Sequence, residues 1–374
     1  MTEPQKTAKS AEKIRVLVVD DSAFMRKMIS KLVNGDPGLT VVGTARDGME
    51  AIRKLGELKP QVVTLDLEMP RLDGLQTLGY IMSENPTPCV MLSAHTPRGA
   101  QETLKALEYG AVDFIQKPSG SISLDLERVA EELVTKIKVA HGINLKKLPF
   151  LEGEAGGPSR AAEGGVLPVR TDAEGGGVLL VGASTGGPRA LSAFLPRLPK
   201  DLPVPVLVVQ HMSAGFTRSL AERLDHASQI RVREAAEGQK IAPGMAYLAP
   251  GDWHMEVFEE GGEGVLRLNQ RPPVLGVRPS VDLLFLSAAR AFGRRCLAVV
   301  LTGMGHDGTK GARAVKKAGG AVLAQDEASC VVFGMPRAVM EAGCADRMVP
   351  LDGMAGAVVE ALDGVRGGPG RQGF

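Results

Sequence analysis

The feature that most constrains the fold of this chain is an alternation of short apolar runs with amphipathic stretches. Over residues 13–139, five runs rich in aliphatic and β-branched residues are separated by helix-like segments. The runs read IRVLVV, LTVVG, QVVTLDL, PCVMLSA and VDFIQK, and the segments between them include FMRKMISKLV, MEAIRKLGEL and AQETLKALEYG. Because helical segments separate successive strands, the pattern predicts a doubly wound α/β domain with a five-stranded parallel sheet.

A glycine-rich stretch separates this block from a second one. Residues 151–177 contain eight glycines and almost no apolar periodicity, which is typical of a flexible linker. Strand-like runs resume with VLLVGA, VPVLVVQHM, RCLAVVLTG and AVLAQ, and the turn-rich residues 229–275 predict β-hairpins inserted in a second α/β domain. The predicted parts of the chain are a first domain at 13–139, a flexible linker at 140–176, a second domain at 177–364 and a disordered tail at 365–374.

Bulk composition excludes several classes of protein. The chain is 44% hydrophobic and 23% charged with a formal net charge of +1, so it lacks the basic excess of a broad nucleic-acid-binding surface. No apolar run approaches the ~18 residues needed to span a bilayer, and the N-terminal residues show no secretion signal. The four cysteines are far apart, which indicates neither a disulfide framework nor a zinc site. We expect a cytoplasmic protein and a monomer.

Polar residues follow or end four strands of the first domain. Asp20 and Asp21 follow the first strand, Asp66 lies in the third, Ser93 ends the fourth and Lys117 ends the fifth. The carboxyl ends of parallel strands share one edge, where three carboxylates would repel one another without a cation. Oxygen ligands with open water positions suit Mg²⁺, and the lysine and serine could bind an anion added to one carboxylate. Each acid alone could be a solvated strand end or helix cap, but four matching strand ends favour a site.

These residues, in the segments VVDDSAFMR, TLDLEMPRLDG, MLSAHT and DFIQKP, resemble the receiver domain of two-component response regulators. The resemblance implies that Asp66 is the phosphorylated residue and that Asp20, Asp21 and Asp66 bind Mg²⁺. It also implies that the lysine and the serine contact the phosphoryl group. Phe114 would then be the aromatic residue that moves with the switch.

The second domain opens with VLLVGASTGGPRAL, an apolar run that ends in a glycine-rich turn containing a serine. This turn lacks the lysine of a phosphate-binding loop and the second glycine of a dinucleotide fingerprint. It does fit G-x-S-x-G, with Gly182, Ser184 and Gly186, in the strand–turn–helix context that the motif requires. Pro188 suits the first turn of the following helix. A serine in a glycine turn is more often a cap than a nucleophile, so the motif alone leaves both interpretations open.

A nucleophilic serine needs a base, and His211 is the histidine best placed to supply it. It ends the strand-like run VLVVQHM, the next strand after that of Ser184, so both should lie at one edge of the sheet. His306 is the rival, next to Asp307 in LTGMGHDG. That segment also contains G-x-G-x-x-G, but an acid there would oppose a pyrophosphate at a helix N-terminus. Asp307 is better explained as the partner that orients a histidine.

Most of the second domain resembles the chemotaxis protein-glutamate methylesterases. The resemblance rests on the segments already quoted and on QHMSAGFTRSLAERL, YLAPGDWHM, RPSVDLLF and AQDEASCVVFGMPRAV. It implies that Ser184 is the nucleophile, His211 the general base and Asp307 its orienting partner. The backbone N–H of Met304 is then a candidate oxyanion donor, and Thr185 lines the same turn.

The resemblance implies hydrolysis of γ-glutamyl methyl esters on methyl-accepting chemotaxis receptors and deamidation of some receptor glutamines. The expected partners are those receptors and a chemotaxis histidine kinase as phosphodonor, with no nucleic acid and no membrane contact except through receptors. Mg²⁺ in the receiver domain is the expected cofactor, and none is expected for the hydrolase chemistry. Two alternatives are a DNA-binding response regulator, which the charge balance disfavours, and a dinucleotide-binding output domain, which would rest on residues 303–308 alone.

Overall fold

The computed structural model describes residues 12–94, 96–117, 123–145 and 176–363. They form two compact units, each built around a sheet of its own. Most of the predicted linker and the whole of the predicted tail lie outside the described residues, so the domain limits stay predictions. Within the described ranges, no helix combines the length and the apolar character that crossing a membrane requires.

The first unit contains the five-stranded parallel sheet that the sequence predicts. Its strands are β1 (Ile14–Val19), β2 (Leu39–Ala45), β3 (Val62–Asp66), β4 (Cys89–Ser93) and β5 (Asp113–Gln116). Their order is β2-β1-β3-β4-β5, and every neighbouring pair is parallel. The predicted fold class is confirmed, and the carboxyl ends of β1, β3, β4 and β5 share one edge of this sheet.

Helices alternate with these strands along the chain. They are α1 (Ala23–Asn34), α2 (Gly48–Leu58), α3 (Gly74–Glu84), α4 (Pro97–Glu108) and α5 (Ser123–His141). Side chains cap three of the helix N-termini, because Ser22, Asp47 and Asp73 each accept a hydrogen bond from a backbone N–H of the first turn. Buried residues of α1 and α5, such as Ile29 and Ile137, form one core cluster with the sheet.

The second unit is also built on a parallel sheet. Its strands, in the part of the chain that the structure describes, are β6 (Val178–Ala183), β7 (Val206–Gln210), β8 (Arg231–Glu234), β9 (Met245–Leu248), β10 (His254–Glu260), β11 (Glu263–Asn269), β12 (Cys296–Val300), β13 (Ala321–Gln325) and β14 (Arg347–Val349). Seven of them form one sheet in the order β14-β13-β12-β6-β7-β9-β8 with parallel neighbours. The other two, β10 and β11, form an antiparallel hairpin.

The hairpins predicted within residues 229–275 are represented by β10 and β11. In the same range, β8 and β9 are instead parallel strands at the edge of the main sheet. The connection between them lies along β11, where the N–H groups of Gly238 and Ile241 donate to carbonyls of Leu266 and Gly264 at 2.9 Å. A turn-rich connection without a helix therefore joins two parallel strands.

The chain switches sides of the sheet at β6, because β7 pairs with one edge of this strand and β12 with the other. The helices that follow β6 along the chain are α6 (Gly187–Phe194), α7 (Phe216–Ala227), α8 (Val281–Phe292), α9 (Thr309–Lys317), α10 (Met335–Glu341) and α11 (Leu351–Asp363). Pro188 lies in the first turn of α6, as predicted. In open α/β sheets, ligands bind at the carboxyl ends of the strands beside such a switch point.

Two glycines of α3 provide a test of packing in the first unit. A Cβ on Gly74 would lie 2.7 Å from Leu67 Cα and 3.0 Å from the carbonyl carbon of Asp66, whereas nothing lies within 4 Å of a Cβ on Gly79. We expect Gly74→Ala to lower the free energy of unfolding by about 1–3 kcal/mol through overpacking. Gly79→Ala is the matched control and should raise it by about 0.5–1 kcal/mol, because alanine is the better helix former.

Hydrogen exchange of β3 amides in the full chain, followed by mass spectrometry, measures both changes. Equal effects of the two substitutions would contradict the close packing of Gly74 against the β3 end.

Candidate functional site

The turn after β6 places Ser184 at the carboxyl edge of the sheet, beside the switch point. Gly186 has a φ of +78°, and a Cβ there would lie 2.6 Å from Val331 Cβ, so glycine is required. The turn is held from the β12 side, because Ser184 N–H donates to the Thr302 carbonyl at 3.0 Å. The Thr302 hydroxyl in turn donates to the Thr185 carbonyl at 3.0 Å. The backbone around the half-buried serine is therefore fixed by a neighbouring strand end.

His211 lies at the end of the neighbouring strand. In the parallel pairing of β6 with β7, Ala183 lies opposite Gln210. The last bond of this ladder runs from His211 N–H to the Ala183 carbonyl at 3.0 Å. Ser184 and His211 are thus the next residues on two paired strands, and the structure brings both to one edge of the sheet.

Asp307 contacts the ring of His211. The distance from His211 Nε2 to Asp307 Oδ2 is 2.8 Å, and the carboxylate is almost completely buried. The same carboxylate accepts hydrogen bonds from one hydroxyl and three backbone amides. These donors are Ser280 Oγ at 2.9 Å, Val281 N at 2.7 Å, Asp282 N at 3.0 Å and Gly308 N at 3.0 Å.

The electrostatic balance at Asp307 favours its charged form. Burial by itself would raise the pKa of this carboxyl, since it disfavours charge. The hydrogen bond and charge of His211, with the amides of Asp282 and Val281, outweigh burial and hold the pKa below its ordinary value. Val281 and Asp282 begin α8, so their N–H groups also carry the positive end of the helix dipole.

The pairing assigns a different role to each ring nitrogen of His211. Because Nε2 faces the carboxylate, a neutral ring carries its proton there and donates it to Asp307. The remaining nitrogen, Nδ1, then holds a free lone pair that can accept a proton. In the usual serine-protease arrangement the two nitrogens have the opposite roles.

Met304 is placed close to the serine by its neighbour. A Cβ on Gly303 would lie 2.8 Å from Ser184 Cβ, which shows how closely these backbones approach. The N–H of Met304, the next residue, donates to no acceptor in the described ranges. Thr185 is 5% exposed and forms part of the serine turn itself. The Met304 amide therefore stays a candidate donor to an oxygen that binds beside Ser184.

His306, the rival base, is exposed, and the described residues include no contact between its ring and Ser184, His211 or Asp307. The dinucleotide interpretation of residues 303–308 also meets a physical obstacle. Gly308 N–H at the start of α9 already donates to the Asp307 carboxylate, so a pyrophosphate at this helix end would face a buried negative charge.

Sequence reasoning did not identify the polar residues that hold the site residues in place through hydrogen bonds. Ser280 and Asp282 flank the start of α8, and Asp282 Oδ1 accepts the Gly311 N–H of α9 at 2.8 Å. Gln210, at the end of β7, is also buried. The available signal was the polar S-x-D pair in RPSVDLLF, which precedes an apolar helix as capping residues do.

The acidic residues predicted in the first unit also meet at one edge of their sheet. One oxygen from each of Asp20, Asp21 and Asp66 lies within 4.8 Å of the others. Lys117 Nζ lies 2.7 Å from Asp66 Oδ1 and 2.9 Å from Asp20 Oδ2. Asp20 and Asp66 are buried, and Asp21 is exposed, so the cluster opens toward solvent on one side.

In this cluster, burial disfavours the charged form of Asp66. Burial raises its pKa to about 6 against the opposing charge of Lys117. Its second oxygen, Oδ2, is buried without a hydrogen-bond partner among the described residues. A buried acceptor without a partner costs stability, and a cation or a transferred group would satisfy it. The donor set of three carboxylates fits Mg²⁺.

Ser93 and Phe114 lie on the two strands beside this cluster. Ser93 ends β4 and is buried, and its carbonyl accepts the Lys117 N–H at 2.8 Å. Phe114 is in β5 with 5% of its surface exposed, and the Lys136 ammonium lies 5.3 Å from its ring centre. In this conformation the aromatic ring therefore faces inward.

The two sites define the class of protein. A parallel five-stranded unit with three acids and a lysine at its carboxyl edge is a response-regulator receiver, and the second unit is its α/β output domain. Family models agree on both parts: residues 16–127 match the response regulator receiver domain, and residues 179–358 match the CheB methylesterase. The chain belongs to the CheB methylesterase family.

Individual relatives resemble the whole chain or the output domain. A protein-glutamate methylesterase/protein-glutamine glutaminase of Pyrococcus abyssi is 47% identical over 96% of both chains. One from Symbiobacterium thermophilum is 49% identical over 93% of this chain and 97% of its own length. The crystal structure of the Thermotoga maritima CheB methylesterase catalytic domain matches with a TM-score of 0.50 and 45% identity, covering 50% of this chain and 99% of that chain.

The bonds to Asp307 predict a pH dependence of stability. Its pKa is below 3.8 in the folded chain, so the ionised carboxylate stabilises the fold above about pH 4. This contribution is lost as the pH falls through the folded pKa. We therefore expect the melting temperature of Asp307→Asn to lie furthest below that of the parent chain near neutral pH, and the gap to narrow on acidification.

Fluorescence of Trp253, the single tryptophan, follows the melting of the second unit. Asp201→Asn, at an exposed carboxylate, is the matched substitution. A gap for Asp307→Asn that widens below pH 4 would contradict the assigned bonds.

Proposed function

We propose that this chain is a phosphorylation-controlled serine hydrolase that demethylates glutamate methyl esters, and deamidates some glutamines, on methyl-accepting chemotaxis receptors. One observation carries the chemistry. The hydrogen-bonded pair of His211 and Asp307 lies beside Ser184 at the switch point of a parallel sheet. The names of the relatives, protein-glutamate methylesterase/protein-glutamine glutaminase, support the substrate class.

In the first step, Ser184 Oγ attacks the ester carbonyl while His211 Nδ1 accepts the hydroxyl proton. The resulting imidazolium is stabilised by the buried charge of Asp307 through Nε2. The Met304 amide donates to the developing oxyanion. Collapse of the tetrahedral intermediate breaks the bond to the methoxy oxygen, and the proton on Nδ1 leaves with methanol.

In the second step, water replaces the alcohol. His211 Nδ1 takes a proton from the water as it attacks the glutamyl-serine ester, and that proton returns to Ser184 Oγ when the ester bond breaks. The products are a glutamate carboxylate and the free serine. With a glutamine substrate the same sequence releases ammonia in the first step, so one site supports both activities.

Control is proposed to come from the receiver. Phosphoryl transfer from a chemotaxis histidine kinase to Asp66 would place the charge of the phosphoryl group beside Lys117 and Ser93. Phe114 would then change position as part of the switch. Asp20, Asp21 and Asp66 would hold the Mg²⁺ that neutralises the entering phosphoryl group. The hydrolase site itself is proposed to need no cofactor, since its own side chains supply the nucleophile and base.

The proposed cellular location and oligomeric state are those expected of a protein with these partners. We place the protein in the cytoplasm as a monomer that meets membranes only through its receptors and binds no nucleic acid. All four cysteines lie in the described residues, are buried and form no disulfide, which is compatible with a reducing compartment.

Substitutions at two of the site residues test the chemistry. Ser184→Ala removes the nucleophile and should reduce methanol release from methylated receptor membranes by about 10⁴-fold or more. Asp307→Asn should reduce it by about 10⁴-fold, because the ring loses the partner that selects its tautomer. His306→Ala, next to Asp307 but exposed, is the control and should retain activity. Retained activity in Ser184→Ala would overturn the assignment.

A small-molecule phosphodonor with Mg²⁺ tests the control by the receiver. Methanol release from the parent chain should rise with phosphodonor, since phosphorylated Asp66 is the activating species. Asp66→Asn should keep the basal rate and lose the rise, and chelation of Mg²⁺ should also remove it. A rise that survives in Asp66→Asn would contradict the proposed control while leaving the hydrolase intact.

A further inference from the structure

Gln210 is a buried amide that the proposed chemistry does not use. It is the last residue of β7, one position before His211, and only 2% of its surface is exposed. Burying an amide among apolar residues costs free energy unless its hydrogen bonds are made inside the protein. Its partners therefore show what the residue contributes.

The side-chain NH₂ group of Gln210 bonds the main chains of both reacting residues. Nε2 donates to the Ser184 carbonyl at 3.0 Å and to the His211 carbonyl at 3.0 Å. The regular ladder between β6 and β7 ends one step earlier, at the bond from His211 N–H to Ala183. Beyond that point Gln210 is the group that joins the two strand ends.

The surroundings of the amide oxygen, Oε1, show which way the Gln210 side chain is oriented. Gln210 Oε1 is buried and accepts no hydrogen bond from the described residues. It lies against Gly187, where an added Cβ would overlap it, at the start of α6 and therefore at the positive end of that helix dipole. A flipped amide would direct Oε1 at two carbonyl oxygens, so only the observed orientation joins Ser184 to His211.

We propose that Gln210 is a positioning residue that sets the separation of Ser184 Oγ from His211 Nδ1. This role rests on the proposed hydrolase function. Both side chains branch from the backbone segments that its amide holds, so loss of the amide lets the two strand ends move apart. Proton transfer between positioned groups is sensitive to such displacement, and about 1 Å can cost about 10²-fold in rate.

The test measures nucleophile activation apart from receptor recognition. A fluorophosphonate probe forms a phosphorus–oxygen bond with an activated serine and releases fluoride, so its labelling rate reports on Ser184 without any receptor. Gln210→Met retains length and flexibility but removes both hydrogen bonds, and it also removes the unpartnered Oε1, so it should fold. We expect its labelling rate, and its kcat for methanol release, to fall by about 10–100-fold with KM unchanged.

Gln210→Glu adds a readout that loss of stability would not produce. Its carboxylate repels the two carbonyls, whereas the protonated form donates one hydrogen bond to one of them. The ratio of its labelling rate to that of the parent chain should therefore rise as the pH is lowered from 8 to 6, because burial raises the pKa of a carboxyl. The corresponding ratio for Gln210→Met should stay flat.

Ser287→Ala is the control for loss of a buried hydrogen bond elsewhere in the same unit. The Ser287 hydroxyl accepts the Val257 N–H at 3.0 Å, between α8 and β10, and its removal should leave the labelling rate unchanged. A folded Gln210→Met that labels at the parent rate, or that changes KM and not kcat, overturns the positioning role.

Failure of the proposed function gives a different result. Parent chain that labels at Ser184 but releases no methanol overturns the substrate class alone, and the comparison among Gln210 variants still decides the positioning role. Parent chain that does not label overturns the activated serine and, with it, the role of Gln210.

Discussion

The proposed hydrolase site depends on the buried carboxylate of Asp307 and on the hydrogen bonds that it accepts. Asp307 receives the ring of His211, the Ser280 hydroxyl and the first amides of α8. A charge removed from water costs several kcal/mol unless such donors compensate it, so each of these bonds offsets part of that cost. The bond to Nε2 also orients the histidine ring. Fold stability and the geometry of the proposed base therefore share one set of contacts.

The two units use one architectural rule for different chemistry. In each, parallel strands deliver polar residues to the carboxyl edge of an otherwise apolar sheet. In the first unit the delivered groups include three carboxylates, whose mutual repulsion calls for a cation, with Lys117 supplying one positive charge from the protein. In the second unit they are Ser184 and His211, and the loop after β12 adds Asp307, which pairs with the histidine ring. The identity of the strand-end residues, rather than the fold, separates a phosphorylation site from a hydrolase site.

Much of this arrangement was predictable from residues alone. Periodicity predicted the five-stranded sheet, and the positions of Asp20, Asp66 and Lys117 at strand ends predicted their convergence. The pairing of β8 with β9 was not predictable, because short strands separated by turn residues are typical of hairpins. Its parallel direction arises from the connection that lies along β11, a contact between residues distant in the chain. Non-local pairing of this kind leaves no periodic signal.

For this protein, the sequence by itself determined the fold class, the family through its motifs, and the placement of Ser184 and His211 directly after two strands. These follow from short-range patterns, since strand periodicity and the G-x-S-x-G turn involve neighbouring residues. Only the tertiary structure decided that Asp307 meets His211 at Nε2, that His306 is exposed and that Gln210 joins two backbones. Those outcomes depend on distances of a few ångströms between segments far apart in the chain, which close packing of the whole unit sets.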